Sequence, residues 1–253
     1  MIIKKFGMFN ESIEIKGVDF SFNKFIDYTS LTGSEDENHI KDLCEKAKML
    51  NVKSVCVYPK WVNLCKELLK ESDVLVCTVI GFPTGRNSLE EKKSECSKAI
   101  RNGADEIDMV CNWRLLDPEV EDSENNKKIH NEIYQLSKIC NKNGVILKVI
   151  VESGKLTEEE VELVTNICID GNADFIKTST GKVSSGADIE DVSQMFYIIQ
   201  DRNSEMKIKA SGGIRTIEDL EKFAPFVDRY GLGFESVDKI NNIDTTGNSN
   251  DKY

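Results

Sequence analysis

Three features of the sequence predict an α/β chain folded as a single (β/α)8 TIM barrel. Eight short apolar runs alternate with longer charged, amphipathic stretches, no change of composition divides them, and 253 residues suit a barrel of about 250. A doubly wound open sheet would want a glycine-rich dinucleotide loop after its first strand, and Tyr28-Thr29-Ser30-Leu31 offers none.

Residues 1–23 precede the first run as an N-terminal extension. The runs that read as strands are Lys24–Thr29, Val52–Tyr58, Val74–Ile80, Glu106–Cys111, Val145–Glu152, Asp174–Thr178, Lys207–Ala210 and Tyr230–Phe234. Between them, helical spacing is clearest in four segments. Glu37–Leu50 carries Ile40, Leu43, Ala47 and Leu50, and Ser88–Asn102 carries Leu89, Cys96, Ala99 and Ile100. Ile129–Asn143 carries Ile129, Ile133, Leu136 and Ile139, and Glu158–Asp170 carries Val161, Val164, Ile167 and Cys168. Thr157-Glu158-Glu159-Glu160 reads as a capping box, with hydroxyl and glutamate each bonding the other's backbone N–H. The barrel then spans 24–240. Residues 241–253, rich in Asn, Asp and Gly, read as a mobile C-terminal tail whose terminal Tyr253 could reach the barrel mouth.

Composition excludes several classes of function. The net charge of −11 and the absence of a dense Lys/Arg cluster argue against nucleic acid. No apolar run approaches the ~18 residues of a membrane span, and the first residues lack the apolar core of a secretory leader, so a cytoplasmic location is expected. The eight cysteines include no C-x-x-C pair and fall in apolar, periodic segments, which suits buried reduced thiols. With only His39 and His130, neither a zinc site nor a Ser-His-Asp triad is readily built. No metal and no cofactor are expected, and acid–base chemistry must rest on lysine and carboxylate.

Lys177 is the most telling residue. It ends the apolar stretch Ala173-Asp174-Phe175-Ile176, where an ammonium loses hydration and its pKa falls toward neutrality. A partly unprotonated lysine is a nucleophile that forms Schiff bases with carbonyls. Lys209 ends Met206-Lys207-Ile208, and on a neighbouring strand each lysine would depress the other's pKa. Asp27, Cys56, Asp108 and Glu152 also gather at strand ends, the side of such a barrel that carries its active site. Period two places Glu106 with Asp108, and Phe175 with Lys177. An enclosed Asp108 needs a cation, Lys177 or Lys209, and by itself reads equally as a core ion pair; Cys56 by itself reads as packing. Thr180-Gly181-Lys182 and Ser211-Gly212-Gly213, the latter before a helix start at Ile214-Arg215-Thr216, suggest an anion site on backbone N–H groups. Gly81-Phe82-Pro83-Thr84-Gly85 reads as a rigid turn at the rim.

With these residues in view, the chain resembles the deoxyribose-phosphate aldolase family, class I barrels that work through a lysine Schiff base. The matching segments are Phe25–Thr29, Val55–Pro59, Val79–Pro83, Gly103–Asp108, Leu147–Gly154, Ala173–Lys182 and Lys209–Thr216, in order. The resemblance implies reversible cleavage of 2-deoxyribose 5-phosphate to glyceraldehyde 3-phosphate and acetaldehyde, with a phosphorylated sugar as the partner and neither nucleic acid nor membrane. It implies Lys177 as the Schiff-base lysine, Lys209 as the lysine that holds its pKa down, and Asp108 as the proton-relay carboxylate. Asp27, Thr29 and Cys56 would line the pocket, and Gly181, Lys182, Gly212, Gly213 and Ser236 would hold the phosphate. One departure stands out: the family's Gly-x-Ser-Ser is Gly233-Phe234-Glu235-Ser236 here. Glu235 must point away from the phosphate or weaken its binding, since like charges ~4 Å apart cost about 4 kcal/mol at an effective dielectric of 20. That motivates an alternative, an aldolase for a related, unphosphorylated aldehyde. A barrel repurposed for binding or scaffolding is the other. A homodimer is a further expectation for such a barrel, and the sequence locates no interface.

Overall fold

The computed structural model describes residues 22–120 and 123–243. The extension up to residue 21 and the tail from residue 244, Tyr253 included, lie outside the described residues. The strands are β1 (Ile26–Ser30), β2 (Ser54–Val57), β3 (Leu75–Ile80), β4 (Glu106–Val110), β5 (Ile146–Ile150), β6 (Phe175–Lys177), β7 (Lys207–Ser211) and β8 (Arg229–Gly233). All pair in parallel in chain order and close by β1 against β8, with Asp27 opposite Gly231 and Thr29 opposite Gly233. The helices are α1 (Glu37–Leu50), α2 (Val62–Leu69), α3 (Leu89–Arg101), α4 (Glu124–Lys142), α5 (Glu158–Asp170), α6 (Ile189–Asp201), α7 (Ile217–Phe223) and α8 (Phe234–Ile240). Among the described residues no helix is long and apolar enough to cross a membrane.

Local chemistry explains the boundaries. Capping boxes open α3 (Ser88 with Glu91), α5 (Thr157 with Glu160) and α7 (Thr216 with Asp219), so the box expected at Thr157 forms. Helix α4 starts a turn before the expected Ile129, because its first residues are polar and show no apolar period. Ser123 caps it by accepting from Asn126 N–H. The helices α2, α7 and α8 have only seven or eight residues, too few for a period to register. In α6 the buried row Val192, Met195 and Ile199 is offset by exposed Tyr197, which blurs the stripe.

Each strand divides by alternation. Outward residues such as Tyr28, Val55, Ile107, Val149, Ile176, Ile208 and Leu232 join the one large apolar cluster under the helices. Inward residues are mostly polar: Asp27, Ser54, Glu106, Asp108, Lys148, Lys177, Lys209 and Arg229 are all buried. The tail's first residue, Asn241, is buried too. Asn23 Nδ2 donates to Asn241 Oδ1 and to Leu50 O, so the two ends of the barrel segment meet.

The caps give a check on this account. Thr157→Ala should cost about 1 kcal/mol of stability, read as a lower urea midpoint at unchanged slope, with turnover unaffected.

Candidate active site

Strand register builds the site. β5, β6 and β7 place Lys148 beside Phe175, and Lys177 beside Lys209, so three lysines project into the barrel around Asp108 on β4. Asp108 Oδ2 accepts from Lys177 Nζ at 2.7 Å and from Lys209 Nζ at 2.8 Å, while Oδ1 accepts from Lys148 Nζ at 2.8 Å. Beneath, Asp27 meets Lys209 Nζ at 2.5 Å and Arg229 Nη1 at 2.6 Å. Glu106 meets Lys148 Nζ at 2.6 Å and Arg229 Nη1 at 3.1 Å. Four cations therefore face three carboxylates.

Desolvation of this size is tolerable only because every charge is paired. Burial works against ionised Asp108, but the charges of Lys148, Lys177 and Lys209 outweigh it and hold the carboxyl well below its usual range. Burial likewise opposes ionised Asp27, which Arg229, Lys148 and Lys209 hold down. Lys209 departs from expectation. Burial and Lys148 do push its pKa down, but Asp108 and Asp27 outweigh them and raise it, so Lys209 stays an ammonium. The mutual depression expected of two adjacent lysines thus does not govern Lys209, because a carboxylate stands between them.

Above the cluster lies a cavity of about 300 Å³. Of the expected site residues, Lys177, Thr29, Gly181, Lys182, Gly212, Gly213 and Ser236 line it. Asp108 and Lys209 have no exposed surface and act from beneath through their contacts. Asp27 and Cys56, expected to line the pocket, do not reach it: both are fully buried, Asp27 held down by its ion pairs. Cys56 packs with Leu31, Cys77 and Val79 in a small inner apolar cluster. Glu235 does line the cavity, next to Ser236, and Arg215 joins Lys182 there.

Three members of the cluster were not singled out from sequence as cluster residues. Lys148 lies inside the apolar run Ile146–Ile150, where an interior lysine is itself a signal. Glu106 was placed on the face of Asp108 but given no partner. Arg229 falls one residue before the expected last strand. Cys77 also belongs here: its thiol, pushed well up by burial, donates to Asp108 Oδ1 at 3.1 Å and accepts from Lys148 at 3.2 Å. The buried sets Cys56, Cys77, Asp108 and Asp27, Cys77, Glu106 bring three ligand-type atoms together. Their carboxylates already face the lysines and Arg229, so a divalent cation there would meet an excess of positive charge.

Comparison with known proteins agrees with this geometry. A profile described as DeoC/LacD family aldolase matches residues 23–228. The deoxyribose-phosphate aldolase of Mycoplasmoides pirum is 46% identical over 202 residues, covering 80% of this chain and 88% of that protein. That of Treponema denticola is 44% identical, covering 79% and 89%. The solved deoxyribose phosphate aldolase from Aeropyrum pernix, described as a tetramer, superposes with a TM-score of 0.77 at 26% identity, covering 87% of this chain and 90% of that one.

The ion-pair cluster sets an acid limit. In the unfolded chain Asp27 and Asp108 take up protons near 3.8, whereas folded they remain ionised far lower. Below that value the unfolded state binds more protons, so stability should be flat down to about pH 5 and fall steadily below about pH 4. Denaturation midpoints between pH 3 and 7 test this; a flat profile through pH 3 would contradict it.

Proposed function

The chain belongs to the DeoC/LacD family of aldolases, and we propose that it reversibly cleaves 2-deoxy-D-ribose 5-phosphate to D-glyceraldehyde 3-phosphate and acetaldehyde through a Schiff base on Lys177. The observation that carries this reading is the placement of Lys177. It is the one member of the seven-charge cluster that lines the cavity, and its Nζ shares Asp108 Oδ2 with Lys209.

The chemistry follows from that placement. Neutral Lys177 Nζ adds to the C1 aldehyde of the open-chain sugar and water leaves, giving an iminium. Loss of one proton from the cluster leaves three cations against three carboxylates, so the amine forms without stranding a charge. The iminium restores a positive charge 2.7 Å from Asp108, which is already oriented to receive it. As the C3 hydroxyl proton is taken up, the C2–C3 bond breaks, its electrons pass into the iminium, and glyceraldehyde 3-phosphate departs. The remaining enamine takes a proton at C2, and water releases acetaldehyde and the free lysine. Asp108, 2.7 Å from Lys177 Nζ, relays these protons, and Lys209, 2.8 Å from Asp108, orients that carboxylate as a fixed positive charge. The 5-phosphate is held by Lys182, Arg215 and the turns at Gly181 and Gly212–Gly213.

Borohydride reduction with acetaldehyde should label the peptide bearing Lys177, and Lys177→Ala should abolish both label and turnover. Label on Lys209 instead would overturn the assignment.

Glu235 favours a second reading, a substrate without the phosphate, because its carboxylate lines the same cavity as Lys182 and Arg215. The two are separable. With a phosphorylated substrate, Glu235→Ser should lower the Michaelis constant about tenfold and leave unphosphorylated deoxyribose unchanged. If wild type already prefers unphosphorylated deoxyribose, the second reading stands.

A further inference from the structure

We propose that Glu152 is a positioning residue whose buried carboxylate clamps the turn Thr180–Ser184, so that Gly181 and Lys182 face the substrate's phosphate; this rests on the aldolase reading above. Glu152 follows β5, is fully buried, and takes a left-handed backbone conformation with φ 56° and ψ 48°. A residue with a Cβ rarely adopts that conformation unless its surroundings impose it.

Its two oxygens divide the work. Oε2 accepts from Thr180 N at 3.2 Å and Thr180 Oγ1 at 2.7 Å. Oε1 accepts from Ser184 N at 3.2 Å and Ser184 Oγ at 2.5 Å. One carboxylate thus grips both ends of a five-residue turn. Between those ends stand Gly181 and Lys182, which line the cavity, and Lys182 N donates to Thr180 Oγ1 at 3.1 Å.

The residues flanking the turn, Ser179, Gly186 and Ala187, are fitted to the second glycine loop. Ala187 N donates to Gly212 O at 3.0 Å. A Cβ on Gly186 would lie 2.3 Å from Gly212 O, and one on Gly212, at φ 80°, would lie 2.5 Å from Ser179 Oγ. The two loops therefore cross with no room for a side chain, and a shift of one displaces the other.

The charge of Glu152 is otherwise out of place. A carboxylate behind an anion site repels the anion, and among the described residues Glu152 has no ion-pair partner. Four donated hydrogen bonds fill its acceptor capacity and direct those donors inward. The arrangement makes sense when the turn's shape matters more than the repulsion. Among the described residues no side-chain hydrogen bond joins Glu152, Thr180 or Ser184 to Lys177, Lys209 or Asp108, so the clamp stands apart from the amine that forms the Schiff base.

The test compares wild type, Glu152→Ala, Glu152→Gln and the double variant Thr180→Val with Ser184→Ala. Binding of inorganic phosphate is measured by calorimetry, kinetics on deoxyribose with and without the 5-phosphate, and borohydride trapping with acetaldehyde. For Glu152→Ala we expect about a 30-fold weaker phosphate affinity and a matching rise in the Michaelis constant for the phosphorylated substrate, with kcat nearly unchanged. Trapping and turnover of unphosphorylated deoxyribose should stay at wild-type level. Glu152→Gln, which keeps an acceptor for one end of the turn, should lose about fivefold. The double variant should match Glu152→Ala, and with Glu152→Gln it decides the matter if Glu152→Ala does not fold. Unchanged phosphate affinity, or equal losses on both sugars, would overturn the proposal. The phosphate measurement needs no turnover, so it decides on Glu152 even if the aldolase reading fails.

Discussion

The structure depends on one constraint: the barrel interior is charged. A closed eight-stranded barrel is ordinarily filled by layers of branched apolar side chains. Here Asp27, Glu106, Asp108, Lys148, Lys177, Lys209 and Arg229 fill much of it instead. Each buried ion would cost several kcal/mol unless matched, so the positions of the seven are mutually determined. Asp108 can sit on β4 only because β5, β6 and β7 each supply a lysine at its level. Arg229 on β8 in turn satisfies Asp27 and Glu106, which lie across the interior from each other. Stability therefore comes from the apolar cluster outside the sheet, and the interior is given over to holding charges in place.

That division sets the chemistry. A nucleophilic amine must be neutral, yet isolating a neutral lysine among carboxylates is difficult, since each carboxylate favours the ammonium. An odd charge count offers a route. Four cations meet three carboxylates, and the cavity opens at Lys177 alone of the four. Lys209 is held between two carboxylates and Lys148 among three, whereas Lys177 shares its single carboxylate contact with Lys209. Lys209 thus keeps its proton and works as a fixed charge, which is a different role from that of a second titrating amine.

Much of this was legible in the sequence, for identifiable reasons. The eight strands are buried on both faces and so read as apolar runs. A lysine ending such a run, as at Lys177 and Lys209, is conspicuous because hydration is scarce there. Lys148 carries the same signal but lies inside Leu147-Lys148-Val149, where the next residues are outward-facing and apolar, and only the pairing of β5 with β4 reveals its target. Depth was the harder quantity. Thr29 lines the cavity while Asp27, two residues earlier on the same face, lies one layer down. Period two tells which face a residue is on, not how far along the barrel axis the cavity floor falls. Cys56, read from its own run as packing, does pack; only the resemblance placed it at the cavity. The short helices α2, α7 and α8 escaped because two turns do not establish a period.

The last tension is between a chain of net charge −11 and an anionic substrate. Distance decides it. At physiological ionic strength charges are screened over ~8 Å, and a barrel of this length has a radius of gyration of ~18 Å. The acidic residues spread over the outer helices are therefore too remote to repel a phosphate at the cavity. What the phosphate meets is local: Lys182 and Arg215 against Glu235, in a concave site whose lower-dielectric walls strengthen each of them. Among these three lining side chains the balance is positive by one charge. Glu235 reduces that balance without reversing it, and its place in the first turn of α8 is where a helix favours a carboxylate. The residue that departs from the family pattern is thus tolerated by the fold, and it stands on the cavity wall with Lys182 and Arg215 while the ion-pair cluster around Asp108 lies beneath.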